Sequence, residues 1–438
     1  MRNSLDECPN RWYDPVRTSE DGWISPGMST PSQTNRGSTV TTLVHAQRLV
    51  GLLDDESGEG WIEIDGERIA DAGRGAPSRT PDVVLDEGIL APGLIDAQIN
   101  GAFSVDFADA DADEVRDVAV RMLSTGVTAM VPTFITATVD QLVEQVTRYE
   151  GARETSNAVG VATRLLPAHV EGPFLSPRRR GAHREALLVD PTPERIAPLL
   201  ELHDAISYVT MAPERDGALQ AIADFVAAGI RVAVGHSDAT DDQVRAAADA
   251  GATLVTHLYN AQSPFHHRAP GVVGAALTDP RLTVGVIVDG HHVEPAAVRL
   301  AFAAAAGRVM LVTDAVAALG MPPGVYELGG DQLEVIAGSP PLRADGTIAG
   351  ADEPLDANLG HAVDSGIALV DAIRAATRTP ADALGLTDLG RLEPGARADL
   401  VLLGDDLRAR VTWLGGARVW SDDTIHEGPD ATVASGQL

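Results

Sequence analysis

The chain has 438 residues and a formal net charge of −30 at pH 7, from 33 basic and 63 acidic residues. A chain this acidic lacks the basic patches that nucleic acids and anionic membranes require, so we predict neither as a partner. Hydrophobic residues make up 44% of the chain, but no apolar run approaches the roughly 18 residues of a membrane-spanning helix. The length exceeds that of a single hydrophobic core, which predicts one large domain and one smaller domain.

Cys8 is the only cysteine, which excludes an internal disulfide bond and a thiolate metal cluster. A single cysteine fits a reducing compartment, and we predict a cytoplasmic location. Residues 1–38 are rich in Ser, Thr, Pro, Asn and Arg and contain no apolar signal-peptide segment, so we predict a disordered extension there. Met28 lies within this extension, and an over-extended gene start is the alternative.

Short stretches of alternating apolar and polar residues occur near both ends of the chain. Those in residues 39–88 and 387–425 predict antiparallel strands and hairpins. Neither stretch alone is long enough to enclose a core. We therefore predict one small β-sandwich domain that is built from both chain ends.

Between these ends, residues 89–386 alternate apolar strand-like runs with helical segments that are rich in Ala, Leu and Arg. The runs lie at residues 89–98, 128–134, 164–172, 205–214, 231–237, 252–260, 282–290 and 309–315. Eight such repeats predict an α/β fold, a (β/α)8 TIM-type barrel. A doubly wound open sheet is the alternative, but no G-x-G-x-x-G or phosphate-binding loop follows any run.

Polar side chains collect where these runs end. Because the active sites of such barrels lie at the C-terminal ends of the strands, we expect these side chains to face one site. Nine of the twelve histidines lie between residues 169 and 292. The polar strand-end residues are Gln98, Asn100, Glu171, Glu214, His236, His257, Asn260, Asp289, His291, His292 and Asp314.

Three of these residues, Glu171, His236 and His257, form the predicted metal site. A catalytic metal site typically takes three ligands of histidine and carboxylate type and leaves a position for water. The two histidines are separated by 21 residues, about one strand-helix repeat, and so lie at equivalent strand ends. Taken singly, either histidine could belong to the core, and Glu171 could be a capping or ion-pair carboxylate.

Asp314 ends the last run and is the predicted proton shuttle. A carboxylate beside an activated water accepts its proton and returns it to the leaving group. The alternative is a structural aspartate that caps the following segment.

Arg268, in the loop after Asn260, is predicted to bind an anion, and His292 could add a second donor to it. The alternative is that Arg268 forms an ordinary ion pair at the surface. These residues together predict metal-assisted hydrolysis of an anionic small molecule.

Several longer motifs occur through the chain in a fixed order. They are PGLIDAQING, HVEGPF with RRGAH, VGHSDAT, THLYNA with PFHHRAPG, DGHHV, LVTDA and GTIAG. From about Thr41 to Val419, this series resembles the N-acetylglucosamine-6-phosphate deacetylases of the amidohydrolase superfamily. The resemblance implies a metal-dependent barrel enzyme that hydrolyses the acetamide of N-acetyl-D-glucosamine 6-phosphate to D-glucosamine 6-phosphate and acetate, in amino-sugar catabolism.

The resemblance also implies roles for individual residues. Glu171, His236 and His257 would ligate the metal, and Asp314 would be the general base and acid. The residues that would bind the sugar phosphate are Ala182, His183, Asn260, Ala261, Arg268, His292, Ile348, Ala349 and Gly350. The resemblance further implies a homodimer in which Arg268 reaches into the site of the partner subunit.

The chain departs from the family pattern at two places. Gln98 and Asn100 stand where many amidohydrolases have H-x-H and bind another metal; because neutral amides are poor ligands for transition metals, we predict one divalent ion per subunit. We expect zinc, with Fe2+, Co2+ or Mn2+ as alternatives. Ala351 replaces a serine, which affects one hydrogen bond to the substrate rather than the chemistry.

Three other functions stay open at this point. One is an amidohydrolase that acts on another N-acetyl sugar phosphate, such as the galactosamine isomer. Another is a cyclic-amide hydrolase of the same superfamily. The last is a sensor that binds a sugar phosphate without catalysis, because a fold does not fix a function.

Overall fold

The computed structural model of the protein describes residues 41–52 and 56–422. The predicted extension at residues 1–38, and residues 423–425 of the predicted β domain, lie outside this part of the chain. None of the described helices combines the length and the apolar composition that a membrane span requires.

Eight parallel strands form a barrel, and they correspond one by one to the eight runs predicted from the sequence. They are β1 (Leu94–Ile99), β2 (Val127–Ile135), β3 (Ala168–Glu171), β4 (Ile206–Met211), β5 (Arg231–Val234), β6 (Leu254–Val255), β7 (Thr283–Val286) and β8 (Val309–Leu311). Each strand pairs with the next one, and a two-residue strand, Arg164–Leu165, also pairs with β2. A hydrogen bond of 2.8 Å from Asp314 N to Gln98 O links the segment after β8 to β1. The predicted barrel is confirmed.

Ten α-helices of the described residues accompany these strands. They are α1 (Ala112–Arg121), α2 (Val139–Val159), α3 (Pro193–Leu200), α4 (Ala218–Ala227), α5 (Asp241–Asp249), α6 (Gly271–Thr278), α7 (Pro295–Ala304), α8 (Leu355–Asp364), α9 (Leu369–Ala376) and α10 (Arg378–Leu384). Helices α1 to α7 each connect two successive strands. Three of them begin with reciprocal capping boxes, at Asp111, Thr138 and Thr240, which satisfy the free amide groups of the first turn.

The barrel is solid rather than hollow. Its interior is filled by a buried cluster that includes Ile95, Val131, Tyr208, Leu254 and Met310. Apolar side chains of α10 belong to the same cluster, so this helix covers the end of the barrel at which the strands begin. A larger cluster packs the outer faces of the strands against the surrounding helices. The C-terminal ends of the strands, where the active sites of such barrels lie, are not covered by this helix.

A second sheet combines strands from both ends of the described chain. Its strands are Thr42–Leu49, Gly58–Asp65, Arg68–Arg74, Val83–Leu85, Ile89–Pro92, Leu400–Leu403, Ala409–Leu414 and Ala417–Ser421. These strands form one continuous sheet, mostly antiparallel, with a buried core of its own. A small β domain from both chain ends is thus confirmed.

The run predicted as the first barrel strand is divided between the two sheets. Ile89–Pro92 pairs antiparallel with Leu400–Leu403 in the second sheet, and the barrel strand starts only at Leu94. Gly93 separates the two pieces, and a Cβ there would clash with the side chain of Thr128. Both pieces are fully buried, which is why the sequence shows a single apolar run.

A hairpin follows β8 before the chain reaches α8. Its strands are Gly324–Leu328 and Asp331–Val335, and Leu328 and Leu333 lie in a small core of their own. A short two-stranded piece, Gly101–Ala102 with Val105–Asp106, follows β1. The eight apolar runs of the sequence did not predict either of these additions to the barrel. The hairpin matters for function because Leu328 reaches the cavity described below.

Candidate active site

Glu171, His236 and His257 lie together at the C-terminal ends of β3, β5 and β6. The two histidine Nε2 atoms are 3.0 Å apart. Oε1 of Glu171 lies 3.1 Å from Nε2 of His236 and 3.0 Å from Nε2 of His257. All three side chains are buried. The structure therefore brings together the three residues that were predicted as metal ligands.

The backbone at this strand-end cluster is strained. The φ angle is 46° at His236, 31° at His257 and 50° at Asp314. Residues other than glycine rarely adopt such angles, which cost about 1–3 kcal/mol each. Strain of this kind persists only where the surrounding structure enforces it, and it concentrates at functional sites. The three residues therefore differ from histidines and aspartates of an ordinary core.

The cluster is suited to a cation. Nδ1 of His236 lies 2.9 Å from the carbonyl oxygen of Arg179, and because a carbonyl only accepts, the ring proton is on Nδ1 and Nε2 presents a lone pair. Although burial opposes a charge on His257, the Glu171 carboxylate raises the pKa of His257 to about 9. A site that attracts a proton this strongly also favours a metal ion, and two imidazoles with a carboxylate suit a divalent transition metal.

His183 is a further buried histidine next to this cluster. Ligand atoms of Glu171, His183 and His236 lie within 4.8 Å of one another, so His183 is a second candidate ligand by distance alone. However, Nδ1 of His183 accepts from the backbone N–H of Thr136 across 3.4 Å and lies 2.8 Å from Oγ1 of the same residue, which favours the tautomer with the ring proton on Nε2. Burial holds the pKa of His183 well below its usual range, so the ring is neutral. A neutral ring with a proton on Nε2 acts there as a hydrogen-bond donor.

Asp314 follows β8 and is held by two amides from the end of β1. Asn100 Nδ2 donates to Oδ1 of Asp314 at 2.8 Å, and Gln98 Nε2 donates to the same oxygen at 3.0 Å. Burial and, after it, the negative charge of Glu171 raise the pKa of Asp314 to about 6. Among the described residues, none forms a hydrogen bond with Oδ2. One carboxylate oxygen is therefore fixed and the other is available to exchange a proton.

Gln98 connects Asp314, the predicted base, to Glu171, one of the predicted metal ligands. Its Nε2 group also lies 3.4 Å from Oε2 of Glu171, so one amide bridges two carboxylates. The side-chain nitrogens of Gln98 and Asn100 thus act as donors that orient the two carboxylates. Ala351, the other departure from the family pattern, is buried in the barrel interior, and its N–H donates to the Asp314 carbonyl oxygen at 3.0 Å.

These side chains line a cavity of about 380 Å³, a size that fits one small molecule. The wall contains Glu171, His236, His257 and Asp314. It also contains all of the residues predicted to bind substrate except Arg268, namely Ala182, His183, Asn260, Ala261, His292, Ile348, Ala349 and Gly350. The sequence motifs that are far apart along the chain therefore meet around one space.

His292 is oriented by a neighbouring carboxylate. Its Nδ1 lies 2.6 Å from Oδ2 of Asp289, and the backbone N–H groups of His291 and His292 both donate to Oδ1 of Asp289 at 2.9 Å. Although burial acts in the opposite direction, the His292 ring lowers the pKa of Asp289 to about 2. Asp289 therefore stays ionised and holds Nδ1 of His292, which leaves Nε2 for a ligand in the cavity.

Arg268 lies elsewhere, on an exposed loop, and is not part of the cavity wall within the described chain. Its Nη1 is 2.7 Å from Nε2 of the adjacent His267. Phe265 on the same loop is 60% exposed, although it is a large apolar side chain. The anion contact predicted for Arg268 is therefore not formed within one subunit.

Several residues of the site were missed from the sequence. Arg179 positions His236, and Thr136 positions His183, although neither lies at a predicted strand end. The wall also includes Ile135, Arg178, Arg179, Ile287, Leu328 and Thr347. Arg178 directly precedes the RRGAH motif and Arg179 belongs to it, so the motif could have indicated both residues. Leu328 gave no signal, because it reaches the cavity only through the hairpin.

Other strand-end residues have structural roles. Glu214 accepts hydrogen bonds from Ser237 Oγ at 2.7 Å and from Asp238 N at 2.6 Å, and so fixes the loop after His236. His169 is stacked on Tyr208 with ring centroids 3.9 Å apart. Burial lowers the pKa of His169 to about 3, so this ring is a neutral core residue. The concentration of histidines in this region thus has mixed causes.

Comparison with known proteins gives a consistent result. Residues 89–436 match the Amidohydrolase family. An N-acetylglucosamine-6-phosphate deacetylase of Danio rerio is 38% identical over 354 residues, which cover 77% of this chain and 86% of the relative. An N-acetylgalactosamine-6-phosphate deacetylase of Escherichia coli O157:H7 is 36% identical over 379 residues, which cover 85% of this chain and 99% of the relative.

Solved structures show the same relationship. A variant of the N-acetyl-D-glucosamine-6-phosphate deacetylase from Mycobacterium smegmatis, in complex with N-acetyl-D-glucosamine-6-phosphate, is 39% identical with a TM-score of 0.81. That match covers 87% of this chain and 100% of the other. The resemblance predicted from the motifs is therefore confirmed over most of the chain and over most of each relative, and the chain belongs to the amidohydrolase family.

Proposed function

We propose that this chain hydrolyses the acetamide of N-acetyl-D-glucosamine 6-phosphate to D-glucosamine 6-phosphate and acetate, a step of amino-sugar catabolism. The observation that carries the proposal is the group of Glu171, His236, His257 and Asp314 in one cavity of small-molecule size. The activities for which the relatives and the similar solved structures are named support the choice of substrate. A cytoplasmic location completes the proposal and rests on the cysteine content alone.

Glu171, His236 and His257 would hold one divalent ion per subunit. When bound, such an ion supplies Lewis-acid chemistry, because it polarises a carbonyl group and lowers the pKa of water. We propose zinc, although Fe2+, Co2+ and Mn2+ also accept two imidazoles and a carboxylate. A single ion is proposed because Gln98 and Asn100, which stand where a second ion would need ligands, are neutral amides and therefore poor ligands for a transition metal.

Asp314 is the proposed general base and general acid. Its Oδ2 takes a proton from the attacking water and delivers it to the departing amine nitrogen. Gln98 and Asn100 hold Oδ1 during both transfers, so the carboxylate keeps its orientation. The Nε2–H group of His183 donates to the acetyl carbonyl oxygen, where negative charge develops in the transition state.

The remaining wall residues are proposed to bind the sugar phosphate. Asn260, the backbone N–H of Ala261 and His292 would contact the phosphate group, and Ala182 with residues 348–350 would contact the sugar or the acetyl group. We further propose a homodimer in which Arg268 of the partner subunit completes the phosphate site. The exposed Phe265 beside Arg268 supports a subunit contact at this loop.

The galactosamine isomer is the second candidate substrate. The relative from Escherichia coli O157:H7 is named for it, and its identity of 36% is close to the 38% of the relative from Danio rerio. The two substrates differ in the orientation of one hydroxyl group. Rates of acetate release with both N-acetyl hexosamine 6-phosphates, and with the sugars that lack the phosphate, would separate these candidates.

Acetate release by purified protein is the main test, with the metal content measured on the same sample. We expect turnover of N-acetyl-D-glucosamine 6-phosphate with about one ion per chain, loss of turnover after chelation, and recovery when a divalent ion is added back. Two ions per active chain would contradict the single-ion site. Substrate binding without acetate release by metal-loaded protein would instead indicate a sensor.

A further inference from the structure

A second cavity opens at the opposite end of the barrel, where the strands begin. Its volume of about 510 Å³ exceeds the 380 Å³ of the cavity described above. Polar residues from the beginnings of three successive strands line its wall: Arg231 starts β5, Thr253 precedes β6 and Thr283 starts β7. Thr379 in α10 adds a third hydroxyl group. The proposed hydrolysis uses none of these residues.

Arg231 is the unusual member of this wall. Its side chain is partly buried and forms no hydrogen bond or ion pair with any residue that the structure describes. Burial lowers the pKa of Arg231, and no neighbouring acid opposes that shift. The guanidinium lies against Gly385, where a Cβ would clash with it. A cation that is partly removed from water without a partner costs free energy, which a bound anion would recover.

The other charged groups of the wall are already neutralised. Nη1 of Arg281 lies 2.6 Å from Oδ1 of Asp249, and Nη2 lies 2.6 Å from Oδ2 of Asp279. Oδ1 of Asp382 is 2.6 Å from Nη2 of Arg391. Among the described residues of the wall, Arg231 is therefore the one whose charge is uncompensated, in a protein whose formal net charge is −30.

The hydroxyl groups of the wall are also available. Those of Thr253, Thr283 and Thr379 form no hydrogen bond with the described residues, although all three line the cavity. A guanidinium offers a planar pair of N–H donors that matches an oxyanion, and hydroxyl groups supply further donors. A concave surface with one free cation and three free hydroxyl groups has the composition of an oxyanion site.

We propose that this cavity binds the oxyanion group of a small molecule, a phosphate or a carboxylate, through Arg231 and the hydroxyl groups of Thr253 and Thr283. The site is separate from the proposed reaction. Arg231 and His236 lie at opposite ends of the β5 segment, and at about 3.3 Å per residue the five residue steps from one to the other span about 16 Å. A small ligand at Arg231 does not touch a substrate at the other end of the barrel.

Equilibrium dialysis of inorganic phosphate against the full-length, metal-loaded protein tests this site at constant ionic strength. The wild-type protein should bind one more phosphate per chain than Arg231→Met, which keeps an unbranched side chain but removes the guanidinium and its charge. Arg231→Lys should retain the site with about tenfold weaker binding, because a lysine lacks the planar pair of donors. Arg116→Met, on the exposed face of α1, is the matched control and should bind phosphate like the wild type.

The comparison does not depend on the reaction, because none of these variants changes a residue of the proposed active site. Acetate release by Arg231→Met should equal that of the wild type when phosphate is absent. Competition by citrate would extend the site to carboxylates, and phosphate binding that resists citrate would restrict it to phosphates. Equal binding of both anions by the wild type and by Arg231→Met would overturn the proposal.

A second variant covers the case in which Arg231→Met does not fold. Thr253→Val with Thr283→Val removes two donors without changing the charge or the shape of the wall. We expect phosphate to bind about tenfold more weakly to this double variant, from the loss of two hydrogen bonds. Unchanged affinity would mean that the hydroxyl groups do not face a bound anion.

Discussion

The cavity at the barrel mouth has two ends that are built in different ways. At the reaction end, Glu171, His236, His257 and Asp314 lie at the ends of barrel strands. The first three are buried and Asp314 is half-buried, and His236, His257 and Asp314 have strained backbone angles. At the binding end, the wall comes from loops, and its side chains are more exposed. The predicted role of Arg268 even requires a second subunit.

The binding end is held by ion pairs between loops. Asp331, at the hairpin, lies 2.7 Å from Nη2 of Arg184 and 2.8 Å from Nη2 of Arg343. Arg343 also donates to the carbonyl oxygen of Ala182. These contacts connect the loop that carries Ala182 to the loop that carries residues 348–350. Rigid strand ends thus position the reacting groups, whereas ion-paired loops position the rest of the substrate, so changes at the two ends should affect different kinetic constants.

Asp314→Asn should have the largest effect and should act on kcat. The amide cannot take a proton from water, so we expect kcat to fall by about 10²–10⁴-fold. Substrate affinity and metal content should stay close to wild type, because Oδ1 and its neighbours are unchanged in shape. Steady-state acetate release gives kcat and KM, and metal analysis gives the metal content.

Asp352→Asn is the control: burial also raises the pKa of Asp352 to about 6, but this residue does not line the cavity. A near-normal kcat for Asp314→Asn would remove Asp314 from the mechanism.

Arg268→Met should act mainly on KM. Loss of a charged contact to phosphate costs about 1.5–3 kcal/mol, which corresponds to a rise in KM of roughly 10–100-fold. Substrate that lacks the phosphate should be turned over equally by the variant and the wild type. The rise should therefore disappear with the unphosphorylated sugar.

A mixture of subunits tests whether Arg268 acts across the dimer. Arg268→Met and Asp314→Asn chains, refolded or exchanged together, would form mixed dimers in which one site has both native residues. Random mixing should restore about a quarter of the wild-type activity at low substrate concentration. No recovery in demonstrated mixed dimers would show that Arg268 does not serve the partner's site.

Thr136→Val should lower kcat about fivefold to tenfold with little change in KM. The hydroxyl group of Thr136 lies 2.8 Å from Nδ1 of His183. Loss of this hydrogen bond leaves the His183 ring less well oriented, which should raise the activation free energy by about 1 kcal/mol. Thr136→Ser should restore the rate, because it returns the hydroxyl group. A variant whose KM rises while kcat stays constant would place His183 at the binding end instead.

The two ends also differ in how far the sequence predicted them. His236 and His257 were recognisable because each interrupts an apolar run at the point where a strand ends, and the period of the runs gave the barrel. Local patterns of this kind report local structure. The hairpin at 324–335 did not follow the barrel repeat, so the position of Leu328 in the wall could not be predicted.

Contacts between distant loops were beyond the reach of the sequence. Asp331 and Arg343 lie in polar segments without a period, and nothing in those segments indicates which arginine a given aspartate contacts. The same limit applies to the missing partner of Arg231, since an unpaired charge is a property of the folded surroundings. Similarly, the division of the first run at Gly93 depends on which sheet each half joins, and burial in both sheets gives the same apolar pattern.

Asp331→Asn should have the smallest effect of the four, a rise in KM of about threefold to fivefold with kcat unchanged. The variant keeps the shape of Asp331 but removes its charge from the pairs with Arg184 and Arg343, and partly exposed pairs contribute about 1 kcal/mol or less. The weakened link lets the loop of Ala182 separate from the loop of residues 348–350, which lowers substrate affinity without moving Asp314.

The salt dependence of KM distinguishes this loop link from a general loss of stability. In the wild type, 0.5 M NaCl should raise KM because salt weakens both the Asp331 ion pairs and the contacts to the phosphate. In Asp331→Asn the ion pairs are already lost, so salt weakens only the phosphate contacts and KM should increase less. Asp117→Asn is the control, because Asp117 forms an exposed pair with Arg121 on α1 and does not line the cavity. If Asp331→Asn lowered kcat and left KM unchanged, the ion-paired loops would belong to the reaction end, and the division of the cavity into two ends would be wrong.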